Sequence, residues 1–154
     1  MKIITLNKAL EIIDAVITKD LEQLQVIPTL DAPSTYKELL ASYNEDPRSL
    51  KVFSGNNADG LFSPELNLKF RAWHDLGHLT YKLDFTYKNE FKLGLIQARG
   101  MFDSAYILTG DSELADACYQ IIYEEIIGQL SYYMINKSYI DNQKEFMFKQ
   151  LGVN

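Results

Sequence analysis

The chain has one cysteine, Cys118, two histidines and four prolines in 154 residues. A lone thiol cannot staple a fold, so a disulfide scaffold is excluded. Its place in an apolar stretch points to packing inside a reducing compartment. No apolar run approaches the roughly 18 residues of a membrane span. Asn7, Lys8, Glu11 and Asp14 interrupt the apolar start too early for a secretory signal. These absences lead us to expect a cytoplasmic protein with no membrane partner. Basic residues are also scarce, fifteen against twenty-one acidic, for a net charge of −6. That balance argues against binding nucleic-acid backbones, which takes a basic face. It leaves room for a basic partner protein, or for a chain that imitates nucleic acid by its acidity. A phosphate-cradling loop is missing too: Gly55 and Gly60 have the spacing, but no Lys-Ser/Thr follows.

What is present suits a globular fold. Hydrophobic residues make up 47% and charged residues 23% of the chain, so residues 1–154 read as a single domain. A chain of this length buries roughly 70% of its unfolded surface and can build a core without staples.

Periodicity predicts an all-α domain, a bundle of five to six helices with one long irregular loop over about 47–63. Leu6, Leu10, Ile13, Ile17, Leu21 and Leu24 form one apolar stripe, with Pro28 beyond the helix end. Thr35 and Glu38 have capping-box spacing and open a second helix that ends near Asn44 to Pro47. Pro47, Gly55, Asn56, Asn57, Gly60 and Ser63 then break the pattern, with Leu50 to Phe53 as a brief extended piece. Ser63, Pro64 and Glu65 are a cap, a first-turn proline and an acid at the positive helix end. Helices follow over about 64–83, to about Thr109, from 113 to 136, and near 142–151. Short turns between the long ones make them antiparallel neighbours.

Both histidines fall in Ala72-Trp73-His74-Asp75-Leu76-Gly77-His78-Leu79. Four residues is just over one helical turn, so the two imidazoles share a face, as when one helix gives two nitrogen ligands to a metal. The bland alternative is a pair of half-buried rings bonded to carboxylates. Folding back near Phe85 brings Gln97 level with His74, and puts Glu90 within about two turns of His78. Folding back near Asp111 brings Glu125 level with Gln97, with Gln129 one turn on. Glu125 and Gln129 sit among Ile121, Ile122, Ile126, Ile127 and Leu130. A carboxylate buried there is costly unless a cation resolves it.

Three metal readings compete. His74-Asp75-x-x-His78 has the spacing of a zinc-peptidase helix, with aspartate where those enzymes carry a glutamate base. The His74-Asp75 doublet is similar to that of the metal-dependent phosphohydrolases named for a His-Asp pair, but their upstream histidine is missing. The third, which we favour, is a bundle-core site for zinc, iron or manganese, with His74, His78, Glu90 and Glu125 as ligands. Gln97 and Gln129 then orient ligands or water, and Asp75 is the candidate base. Arg71 and Arg99, one turn from the histidine level, could bind an anionic substrate or pair with Asp75 and Asp103. Cys118, beside Ile121 and Ile122, reads as core.

A wider resemblance rests on Phe70-Arg71-Ala72-Trp73-His74-Asp75-x-x-His78, Glu90, Gln97, Glu125-x-x-Gly128-Gln129-x-x-Tyr132 and Gln143-x-x-Phe146. This order resembles a family of small, uncharacterised bacteriophage proteins, over about residues 64–148. Members usually carry Gly-Glu where this chain has Asn89-Glu90. The resemblance implies a phage or prophage origin, hence a host cytoplasm, and brings no activity with it.

Two functions follow as expectations. One is a metal-dependent hydrolase of a small phosphorylated or nucleotide-like substrate. The other is a non-enzymatic acidic phage protein that binds a host or defence factor, its polar cluster holding helices in register. A cavity with solvent access at the cluster favours the first, and a sealed network the second. Tyr132, Tyr133 and Tyr139 either form a contact patch or finish the core.

Overall fold

The computed structural model describes residues 1–55 and 60–153. Asn56 and Asn57, read above as turn formers, lie outside the described residues. Helix α1 spans Ile3–Asp20 and buries Leu6, Ala9, Ile13, Val16 and Ile17. Leu21, just past its end, completes that stripe in the core. Helix α2, Tyr36–Glu45, opens on the expected capping box of Thr35 and Glu38. Helix α3 covers Pro64–Tyr81 behind the Ser63 cap. Helix α4 covers Tyr87–Thr109 and stops at Gly110, whose φ of 66° suits glycine. Asp111 caps helix α5, Ser112–Tyr123. A π-helical turn, Glu124–Gly128, joins it to helix α6, Gln129–Asn136. Asn142 caps helix α7, Gln143–Gln150.

The chain is thus mostly helical, with bundle-like packing, as the periodicity predicts. The expected segment over 113–136 runs as one rod, α5 to α6, interrupted by the π turn. The long loop is a different matter. Strand β1, Gln25–Thr29, pairs in parallel with strand β2, Ser49–Phe53, with Val26 opposite Leu50 and Pro28 opposite Val52. The irregular segment over 47–63 therefore contains a strand where only a brief extended piece was expected. Its partner around Pro28 was read as nothing more than a helix stop. Helix α2 is the crossover that parallel pairing demands. Leu50 and Val52 alternate inward, while Lys51 and Phe53 face out.

The core lies where α1, α3, α4 and the α5–α6 rod meet. Ile13, Leu93, Met101, Ile121, Ile122 and Ile127 are almost wholly buried there. Two polar contacts tie α1 to α3: Trp73 Nε1 donates to Asp20 at 2.9 Å, and Lys69 Nζ to Asp14 at 3.0 Å. Helix α3 must also come close to α4, and Gly77 permits it. A Cβ at Gly77 would lie 2.6 Å from Gln97 Nε2 and 2.9 Å from Leu93 Cδ1. No helix among the described residues is long and apolar enough to cross a membrane.

Candidate metal centre

Helix α3 ends on Lys82, which adopts a left-handed φ of 53°. That turn brings Leu83 back under the last helical residues, where its N–H donates to the His78 carbonyl at 3.0 Å. Its own carbonyl then meets His78 Nδ1 at 2.9 Å. A carbonyl only accepts, so His78 Nδ1 carries the proton and Nε2 keeps its lone pair.

His74 is fixed by the same logic, one turn earlier. Gln97, 6% exposed, donates its amide N–H to the Trp73 carbonyl at 3.1 Å. That bond orients the amide, so Oε1 is the atom that faces His74 Nδ1 at 2.7 Å. His74 Nδ1 therefore donates, and its Nε2 lone pair points away from Gln97. The space Gln97 occupies is the space that Gly77 leaves free.

The two Nε2 atoms face each other at 3.3 Å. Glu90, from the first turn of α4, completes the group: Oε2 lies 3.0 Å from His74 Nε2 and Oε1 3.2 Å from His78 Nε2. Taken as neutral rings, these are two lone pairs and a carboxylate converging on one point. Something positive must sit among them, a proton or a metal cation. Bonds of about 2.0–2.1 Å in a tetrahedral zinc site place neighbouring ligand atoms about 3.3 Å apart. One ligand atom from each of His74, His78 and Glu90 fits within 4.8 Å of the others, so the group can hold a metal ion.

Charge in the metal-free group follows from the same contacts. Burial works against a charged His74, but the Glu90 carboxylate bonded to it outweighs burial and raises its pKa. Burial would also raise Glu90, yet the bonds from His74 and His78 win and hold it well below the usual carboxylate range.

An adjoining cavity of about 420 Å³ has His74 and Glu90 in its wall, together with Phe70, Phe85, Tyr87, Glu125, Gln129 and Tyr133. The His74 and Glu90 side chains are 18% and 21% exposed, whereas His78 is sealed at 1%. Tyr139, 81% exposed, stands at the cavity rim. The cluster thus has solvent access on one side.

The expected site residues separate accordingly. His74, His78 and Glu90 come together in one group that could hold a metal ion, and Gln97 bonds to His74. Glu125 and Gln129 reach the same cavity but pair with each other, Gln129 Nε2 donating to Glu125 at 2.6 Å. Glu125 stands in the wall of the cavity, outside the three-residue ligand group. Burial pushes its carboxyl up to about 7, against the pull of the Gln129 bond. Asp75 is not part of the cavity lining. Burial raises it to about 6, opposed by the nearby charges of His74 and His78. Arg71 reaches the carbonyls of Phe53 and Gly55 and is not among the residues that line the cavity. Arg99 pairs with Asp103 at 3.1 Å, as one reading had it.

Sequence reasoning missed the Leu83 carbonyl, because a backbone acceptor carries no residue signature. It also missed Phe85, read only as a turn, which packs on His78 with ring centroids 4.6 Å apart. Compared with protein-family models, curated proteins and solved structures, the chain matches none.

Proposed function

We propose that this protein is a metal-dependent hydrolase, with His74, His78 and Glu90 as ligands to a divalent ion. The observation that supports it is the convergence of two imidazole lone pairs on one carboxylate, each ring held from behind by a hydrogen-bond acceptor. Acceptors behind ligand histidines are what metal sites use to fix ring tautomer and raise basicity. Two nitrogens and a carboxylate suit zinc, with iron or manganese as alternatives. Three protein ligands are also the number that leaves a position for water or substrate. A metal held there would supply Lewis acidity and an activated water at neutral pH.

The chain's own residues do the rest. Gln97 and Leu83 hold the rings. The partial exposure of His74 and Glu90 turns the group toward the cavity, where a small substrate can reach it. Glu125 and Gln129 offer further polar contacts in the cavity wall. Asp75, outside the cavity, tunes the charge of His74 instead of carrying protons to substrate. A phosphorylated substrate would find no Lys or Arg among the described residues lining the cavity.

The test is a hydrolysis panel of chromogenic esters, amides and phosphate esters, nucleotides included. Chelator-stripped protein is assayed before and after one equivalent of zinc, iron or manganese, beside His74→Ala. Activity restored by metal in the wild type and absent from the variant is the expected result. Activity that survives chelation, or equal activity in the variant, overturns the proposal.

A second reading has one observation of its own. Tyr106, Ile107 and Leu108 end α4 with side chains 49%, 83% and 59% exposed, an apolar surface suited to a protein partner. In that reading the triad is a protonated polar network pinning α3 to α4 in an acidic phage protein that binds a host or defence factor.

A further inference from the structure

Glu125 is the carboxylate of the cavity that the metal group leaves unused. Its one hydrogen bond among the described residues comes from Gln129, a neutral amide. No Lys or Arg among the described residues lines the cavity with it. A carboxylate withdrawn from water without a cation is costly, and burial accordingly pushes this one up to about 7.

Around it stand Phe70, Phe85, Tyr87, Tyr133 and Tyr139. Tyr133 packs on Tyr139 with centroids 4.9 Å apart and on Tyr87 at 6.5 Å, so the three phenol rings form a connected wall. Aromatic faces attract cations, most strongly where water is excluded. Several rings with two carboxylates, Glu90 and Glu125, and no Lys or Arg among the described residues make a composition suited to alkylated ammonium groups. Phosphate or carboxylate ligands would meet Glu125 with no Lys or Arg among the described lining residues to offset the repulsion. The volume of about 420 Å³ is within the range of small-molecule sites. The π turn serves this arrangement. It places Glu125 and Gln129 in the wall while Glu124 folds over Gly128 into a separate groove.

We propose that the cavity binds an organic ammonium group, held by Glu125 and the faces of Tyr87, Tyr133 and Tyr139. In the hydrolase reading, on which its role as a substrate site rests, the substrate is an organic cation whose scissile bond lies toward His74 and Glu90. Binding of the cation itself does not need the metal.

The experiment uses choline and its uncharged analogue, in which carbon replaces the quaternary nitrogen. Both are titrated by calorimetry into chelator-stripped full-length protein at pH 8. Choline is expected to bind about ten-fold more tightly than the analogue. Glu125→Gln, which keeps shape and can still accept from Gln129, should reduce that preference, and Tyr133→Leu should weaken choline binding while the fold melts at a similar temperature. Equal affinity for the two probes, no binding of either at millimolar concentration, or an unchanged preference in Glu125→Gln would overturn the proposal. Because the protein is stripped of metal, failure of the hydrolase reading alone leaves this result standing.

Discussion

Replacing Gln97 by leucine tests the reasoning about ring tautomers. The side chain is buried, accepts from His74 Nδ1 at 2.7 Å and donates to the Trp73 carbonyl at 3.1 Å. Leucine fills similar space but makes neither bond. Each buried group left without a partner costs about 1–3 kcal/mol, offset in part by the apolar surface leucine buries. The metal-free variant should therefore lose about 2 kcal/mol of stability and remain folded. Metal binding should suffer separately. Without Oε1 behind it, His74 is free to carry its proton on Nε2, where the metal would bind. Outer partners of this kind are worth about 10–100-fold in affinity, or about 1.4–2.7 kcal/mol. The assay is competition for zinc against a chelating dye, with proton–nitrogen NMR to report which His74 nitrogen is protonated. A folded Gln97→Leu variant that binds zinc as tightly as the wild type would refute the account.

Other consequences are open to simple measurements. Gly77→Ala pushes a Cβ to within 2.6 Å of Gln97 Nε2; it should lower stability by about 1–3 kcal/mol and weaken metal binding together with it, read by thermal melts with and without zinc. Burial raises Glu125 to about 7 from an ordinary 4.5. Protonated in both states below about 4.5, the group costs nothing there, and its penalty grows as pH rises through that window to about 3 kcal/mol above 7. Chelator-treated Glu125→Gln should accordingly match wild type near pH 4.5 and exceed its stability at pH 8; parallel profiles in denaturant would contradict this. Cys118 is buried with its thiol pushed up to about 12, so it should resist a thiol reagent at pH 8 until the protein unfolds; rapid labelling of the native state would show the core is wrongly assigned.

The helices were legible because their signals are local. Thr35 and Glu38 form the anticipated capping box, Ser63 caps as expected, and the apolar stripe of α1 faces the core. The meeting of His74 with Gln97 and Glu90 was also legible, since an antiparallel pair with a short turn fixes which residues lie level. Three features were not. Strand β1 has five residues and a proline, and only pairing with β2 across α2 makes it a strand. The π turn is a local insertion with no composition of its own, and Glu125 within it stands in the cavity wall. The acceptor behind His78 is a backbone carbonyl, placed by the left-handed Lys82.

The central claim is that His74, His78 and Glu90 hold a metal. Elemental analysis of protein purified without a histidine tag, beside a His74→Ala/His78→Ala variant, tests it most directly. The account predicts one equivalent of zinc, iron or manganese per chain, retained or taken up on titration, and lost in the variant. No metal in either sample, and none taken up by the wild type, would contradict it.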